Sequence, residues 1–188
     1  IEDIKDGDLI ICRNTLPLIK LYIKLIEGKI KCYLKGNDVG LNLIDLIQYI
    51  EQEDLIEVFN ELDNMRLQYI KINKQIDDSE DEKIFSTQPY NDLIDKIECL
   101  KMLSNGIKTK QELIDKIFEI FSDDNKQGVC LSTIHKAKGM EADNVYILNK
   151  NLTPSKYAKQ EWEIEQEQNL EYVSFTRAKK QLGFIYYS

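Results

Sequence analysis

The sequence has a single histidine, one tryptophan and three prolines, and its four cysteines, Cys12, Cys32, Cys99 and Cys130, never fall in a Cys-x-x-Cys spacing. That excludes a zinc site of the usual ligand spacing and predicts no metal site. Dispersed cysteines of this kind read as reduced, buried thiols of a cytoplasmic protein. There is no run of about 18 apolar residues, so no spanning helix is expected, and no basic segment leading into an apolar stretch marks a secretory signal. The chain opens on Ile1 rather than Met, which suggests a fragment of something longer. A glycine-rich dinucleotide turn is also absent, which argues against a small-molecule α/β enzyme. So is Gly-x-x-x-x-Gly-Lys-Ser/Thr, and no paired carboxylates follow a suitable strand. Nothing here cradles the β- and γ-phosphates of a nucleotide, and no hydroxyl is set to hold magnesium.

What is present suffices for a core: 188 residues, 43% of them hydrophobic, fit one compact domain or one domain with a large insertion. The net charge of −8 is unevenly spread. Residues 1–36 carry 7 basic and 5 acidic side chains, residues 37–128 carry 10 and 21, and residues 129–188 carry 8 and 7. The acidity lies wholly in the middle. A nucleic-acid surface needs local positive potential rather than a basic whole, so the global charge decides little. The plain meaning of the acidic excess is a solvated helix face.

Asp8 to Arg13 (DLIICR) reads as a buried strand. Residues 15–28 place Leu18, Leu21, Tyr22, Leu25 and Ile26 at helical spacing, with Pro17 in the first turn and Gly28 at the stop. Lys31 to Leu34 is a second short strand, which makes a parallel crossover. From Leu41 to Phe121 the pattern is helical and charged. One helix is expected from about Glu53 to Ile76, a break at 77–83, and a capping box at Thr109 and Glu112. Alternating apolar texture then returns, with strands at 129–134, 145–148 and 182–187 and a helix from Trp162 to about Lys179. The economical architecture is α/β: a parallel sheet with helices built from residues 1–36 and 126–188, interrupted by an all-α insertion over 37–125.

Two stretches carry chemistry. Thr133-Ile-His-Lys-Ala-Lys-Gly-Met-Glu141 follows a strand and gathers polar residues where a parallel sheet binds ligands, at the carboxyl ends of its strands. Gly139 permits a tight turn. Glu141 can accept from a hydroxylated ligand such as a ribose, and Thr133 and His135 can donate to phosphate oxygens. A polar strand-end loop with a hydrogen-bonded histidine would look the same. In the second stretch, residues 167–180, Leu170, Val173 and Ala178 lie on a helical stripe and Arg177 stands near the helix end, followed by Lys179 and Lys180. That is either ordinary helix-end capping or a guanidinium fork placed to stabilise charge in phosphoryl transfer.

Together, TIHKAKGME (133–141) and YVSFTRA (172–178) resemble motifs V and VI of superfamily 1 DNA helicases of the UvrD/Rep/PcrA type, in order and in separation. IICRNTLPL (10–18) resembles, more weakly, the strand of that family that ends in an Arg-Thr-Asn-like turn; here the order is Arg13-Asn14-Thr15. The resemblance covers the two flanks and leaves the acidic middle unmatched. It implies a second RecA-like motor domain, with ATP and magnesium bound against an N-terminal motor domain of the same polypeptide. Glu141 would contact the ribose, Arg177 would act as arginine finger on the γ-phosphate, and Lys138 and Gly139 would shape the ATP-side loop that couples nucleotide to strand. Thr133 and His135, with Arg13 or Asn14, would touch the single-stranded DNA backbone. Tyr172 is expected to be buried, packing its helix. The implied activity is ATP-dependent 3′ to 5′ translocation on single-stranded DNA by the longer protein, the isolated chain being inactive. The alternatives are a non-catalytic DNA-binding or scaffold module, and a subunit of a helicase-nuclease.

Overall fold

The computed structural model describes residues 4–77, 81–122 and 127–186. The chain divides into two compact units, one formed by Ile1–Val39 with Ile120–Ser188 and the other by Gly40–Glu119.

The first unit is an α/β domain around a five-stranded, wholly parallel sheet, as the RecA-like reading requires. Strand β1 (Leu9–Cys12) leads into helix α1 (Thr15–Glu27) and strand β2 (Cys32–Lys35). Strands β3 (Val129–Thr133) and β4 (Ala142–Leu148), helix α7 (Glu161–Phe175) and strand β5 (Ala178–Ile185) complete it, in the order β2-β3-β1-β4-β5. Every pairing is parallel. All four residues of β1 are buried, as a central parallel strand covered on both faces demands. Leu9, Ile11, Cys130, Val145 and Ile147 form one face of the core, closed over by Ile134, Ala137 and Met140 of the β3–β4 connection and by Leu170 and Val173 of α7. Truncating Ile11 to alanine there would cost roughly 2–5 kcal/mol. Helix α1 packs on β1, β2 and β3. It buries Leu18, Ile19, Leu21 and Leu25, while Ile26, expected on that stripe, is exposed. Gly28 caps it, but the left-handed residue is Lys29.

The ends of α7 depart from expectation. The helix stops at Phe175, where the Thr176 amide takes the carbonyls of Tyr172 and Val173. Ala178 therefore opens β5 instead of joining a helical stripe, and Lys179 and Lys180 are strand residues. The cause is tertiary: β4 starts at Ala142, three residues earlier than Val145, and pairs Ala142 with Ala178, so the ladder claims residues that local pattern assigns to the helix. Tyr172 is 69% exposed, not buried, because the face of α7 that meets the sheet is the one carrying Leu170 and Val173. Tyr187, the expected strand end, lies outside the described residues.

The second unit holds most of helix α2 (Asn37–Ile47), helices α3 (Leu55–Asp77), α4 (Asp81–Phe85) and α5 (Gln88–Leu103), and most of α6 (Lys110–Phe121). Helix α3 packs on α4 and α5. Leu55, Val58, Leu62, Ile97, Leu100, Leu113 and Ile117 are buried. The capping box of α6 forms as spelled: the Glu112 amide donates to Thr109 Oγ1 at 3.3 Å and the Thr109 amide to Glu112 Oε2 at 3.2 Å. The expected break at 77–83 falls partly on residues 78–80, outside the described residues; α4 begins at Asp81.

Three of the four thiols, Cys12, Cys99 and Cys130, are buried and Cys32 is half-buried; none of the four is in a disulfide. No helix among the described residues is long and apolar enough to cross a membrane, and no group of three or more metal-ligating side chains occurs among them.

Candidate functional site

The eight residues between β3 and β4 run from one edge of the sheet to the other. Register fixes this: Cys12 pairs with Thr133 at the carboxyl ends of β1 and β3, whereas Ala142 stands three positions before Val145, the partner of Leu9. The expectation that all of Thr133–Glu141 lies at the carboxyl edge is thus corrected. Thr133 and His135 lie there. Glu141 lies at the amino edge, and Lys138 and Gly139 fall on the crossing. The Thr133 carbonyl accepts the amides of Lys136 and Ala137, and the Met140 amide donates to Ala137, which coils the segment into consecutive turns. Gly139 sits at φ +82°, a left-handed conformation at which a side chain would be strained.

At the carboxyl edge the Ile134 amide donates to the Cys12 carbonyl at 2.9 Å, which brings Arg13 and Asn14 beside Thr133 and His135. Asn14 is the N-cap of α1 with its side chain unused in capping. Thr133 is 9% exposed. Arg13 is gripped side-on by Glu167 of α7: Nε lies 3.0 and 3.1 Å from the two carboxylate oxygens, and Nη2 lies 2.7 Å from Oε1. The two side chains are only 14% and 8% exposed. Glu167 Oε2 also accepts the Ser155 amide at 2.8 Å. Burial by itself would raise the Glu167 carboxyl; the hydrogen bonds from Arg13 and Ser155 and the charges of Arg13 and His135 outweigh it and hold the group below the usual glutamate range.

At the amino edge the Ala142 amide donates to the Arg177 carbonyl at 3.1 Å, so Glu141 and Arg177 are neighbours across the β4–β5 pair. Glu141 is exposed and meets Lys179 at 3.3 Å. The Arg177 guanidinium folds back on the end of α7. Nε donates to the Val173 carbonyl at 2.9 Å, Nη2 to Thr176 Oγ1 at 2.8 Å and Nη1 to the Met140 carbonyl at 3.2 Å. The next acid along, Asp143, pairs with Lys180 at 2.7 Å, and that bond and charge lower its carboxyl.

Between the edges a cleft of about 300 Å³ opens between the crossing and α7, rimmed by His135, Lys138, Gln166 and Asn169 over Leu170 and Val173. Helix α7 is pinned at its start by a capping box of Gln160 and Glu163, and Lys150 ties the preceding loop to it through Glu171 at 2.5 Å.

The structure therefore brings the sequence-derived residues together as two groups: Arg13, Asn14, Thr133 and His135 at one edge, Glu141 and Arg177 at the other, with Lys138 and Gly139 between them. Sequence reasoning missed Glu167. Its signal was its phase: three residues before Leu170 and six before Val173, it occupies an inward position in a run of otherwise solvent-facing acids.

Sheet, order of elements and the two stretches define a RecA-like α/β domain. The chain belongs to the UvrD-like helicase C-terminal domain family, whose model matches residues 20–188. It is 26% identical over 178 residues to the ATP-dependent DNA helicase Rep of Buchnera aphidicola subsp. Acyrthosiphon pisum (strain APS), an alignment that covers 92% of this chain and 25% of that protein. A second relative, the ATP-dependent DNA helicase Rep of Buchnera aphidicola subsp. Schizaphis graminum (strain Sg), is 35% identical over 80 residues, which cover 42% of the chain and 12% of that protein. The chain thus spans about a quarter of the length of the first relative.

Proposed function

We propose that this chain is the second motor domain of an ATP-dependent helicase or translocase acting on single-stranded DNA, and that it supplies half of the nucleotide site and half of the strand site. The carrying observation is the separation of two groups by one short connection: Glu141 and Arg177 side by side at the amino edge, and Arg13, Asn14, Thr133 and His135 at the carboxyl edge.

In this reading Glu141 accepts from the nucleotide ribose, and the Arg177 fork turns from its helix end to the γ-phosphate, where it neutralises charge developing in phosphoryl transfer. The N-terminal motor domain of the same polypeptide brings the phosphate-binding loop and the magnesium ligands. The carboxyl edge grips the strand backbone, while Lys138 and Gly139 carry displacement between the two sites. Residues 37–125 form an accessory helical domain whose negative charge disfavours tight duplex contact. The relatives' names as ATP-dependent DNA helicases support this reading.

The test is DNA-stimulated ATP hydrolysis by the full-length protein, wild type against Arg177→Ala. A loss of roughly a thousandfold in turnover with nucleotide binding retained is expected. Unchanged hydrolysis would give the lead to a scaffold module. One observation speaks for that second reading: the Arg177 guanidinium is already engaged by Val173, Thr176 and Met140 as a helix-end cap.

A further inference from the structure

The mechanism above makes no use of Glu167, yet it is a buried carboxylate and lies against Arg13, a residue assigned to the strand. We infer that Glu167 is a positioning residue for strand binding: it fixes the Arg13 guanidinium so that its remaining donors face the nucleic-acid backbone. The inference rests on the reading of the carboxyl edge as a single-strand site.

An arginine side chain on a strand end has four rotatable bonds and sweeps a wide arc, so ordering it on binding costs entropy. Here that ordering is already complete. Glu167 takes Nε and one Nη2 hydrogen in a side-on pair and leaves the Nη1 edge, for which no described residue gives a partner. That edge is the one that matches a phosphate oxygen. Glu167 is itself immobilised, because its second oxygen also holds the Ser155 amide and its helix is packed on the sheet through Leu170 and Val173. The ion pair leaves no net charge on the two residues together, so the contribution is one of aim; the positive partner stays outermost, at 14% exposure against 8%.

The experiment measures single-strand binding of the full-length protein by fluorescence anisotropy across a salt series, for wild type, Glu167→Gln, Glu167→Asp, Arg13→Ala and the double variant Arg13→Ala with Glu167→Gln. Glu167→Gln keeps the shape and an acceptor for the Ser155 amide. It is expected to weaken binding about tenfold without lowering the slope of log K against log salt, because it removes a negative charge and no cation. Glu167→Asp, which keeps the charge, is expected to recover part of the affinity. The double variant is expected to bind like Arg13→Ala alone, because a positioning residue has nothing left to position. Glu167→Gln at wild-type affinity, or a double variant weaker than Arg13→Ala by a further tenfold, would overturn the inference, and a loss confined to thermal stability would reduce Glu167 to a structural ion pair. Should Glu167→Gln fail to fold, Arg13→Lys serves: it keeps the charge without the fork, and wild-type affinity in that variant also overturns the inference. If the wild-type protein binds no single strand at all, the strand-site reading itself falls, which is a separate result.

Discussion

The Arg177 guanidinium donates to the Met140 carbonyl at 3.2 Å, so the end of α7 and the connection that crosses the sheet share a hydrogen bond. With the bonds to Val173 and Thr176, one planar side chain joins a helix end, a loop and a strand start. Lysine cannot reproduce this, because its ammonium is a point donor on a flexible stem. Arg177→Lys is expected to lower stability by about 1–2 kcal/mol, read as the denaturation midpoint. An unchanged midpoint would show that the three bonds contribute nothing to the fold.

The ion pair of Arg13 and Glu167 makes a sharper stability prediction. Arg13→Ala leaves a carboxylate buried without its counter-charge and is expected to cost roughly 3 kcal/mol or more. Removing both charges, with Arg13→Ala and Glu167→Gln together, is expected to cost less than Arg13→Ala alone. A double variant that is the less stable of the two would contradict that.

Acid should weaken the same pair. The Glu167 carboxyl titrates below its ordinary range in the fold, so its stabilisation is present in full above the unfolded value of about 4.3 and is lost as pH falls through the lowered folded value. The difference in unfolding free energy between wild type and Glu167→Gln should be present at about pH 5 and shrink below about pH 4. A difference that grew below about pH 4 would reverse the sign argued here.

Gly128 precedes β3 at φ +100°, and a Cβ built there would lie 2.1 Å from the Lys31 carbonyl oxygen. Backbone against backbone cannot yield cheaply. Gly128→Ala is expected to destabilise the chain by at least about 2 kcal/mol, seen as a lower melting temperature. A neutral substitution would show that β2 and β3 separate without penalty.

Burial pushes the Cys32 thiol up to about 11 and raises Cys99 further, the latter with added repulsion from Asp95 and Glu98. Native protein at pH 8 should therefore alkylate far more slowly at both than unfolded chain does, by mass spectrometry of iodoacetamide adducts. Rapid native labelling of Cys32 would show that the β2 edge opens.

Much of the fold was legible where pattern and burial agree. The strands at Leu9–Cys12 and Val129–Thr133 read directly from continuous apolar runs, and the α6 capping box from Thr109 and Glu112. The end of α7 was not legible, because Arg177 to Lys180 have no local preference strong enough to resist pairing with β4; the decision lies 36 residues away, in Ala142. The site divides in the same way. The residue types in Thr133–Glu141 were plain, but not their distribution over two edges, which depends on register. Glu167 stayed hidden because an acid among acids reads as solvated surface until its phase against Leu170 is weighed.

That crossing has one more consequence. From the level of Thr133 to that of Ala142 is about 20 Å along the strands, and nine peptide steps reach at most roughly 30 Å. A parallel crossover usually takes a dozen or more residues and a helix; this one is shorter, covers about two thirds of its reach, and stores its spare length in the turns that close on the Thr133 and Ala137 carbonyls. A displacement at His135 reaches Glu141 only so far as those turns keep their shape, and lengthening the segment by two or three residues should let each end of the sheet move without the other taking notice.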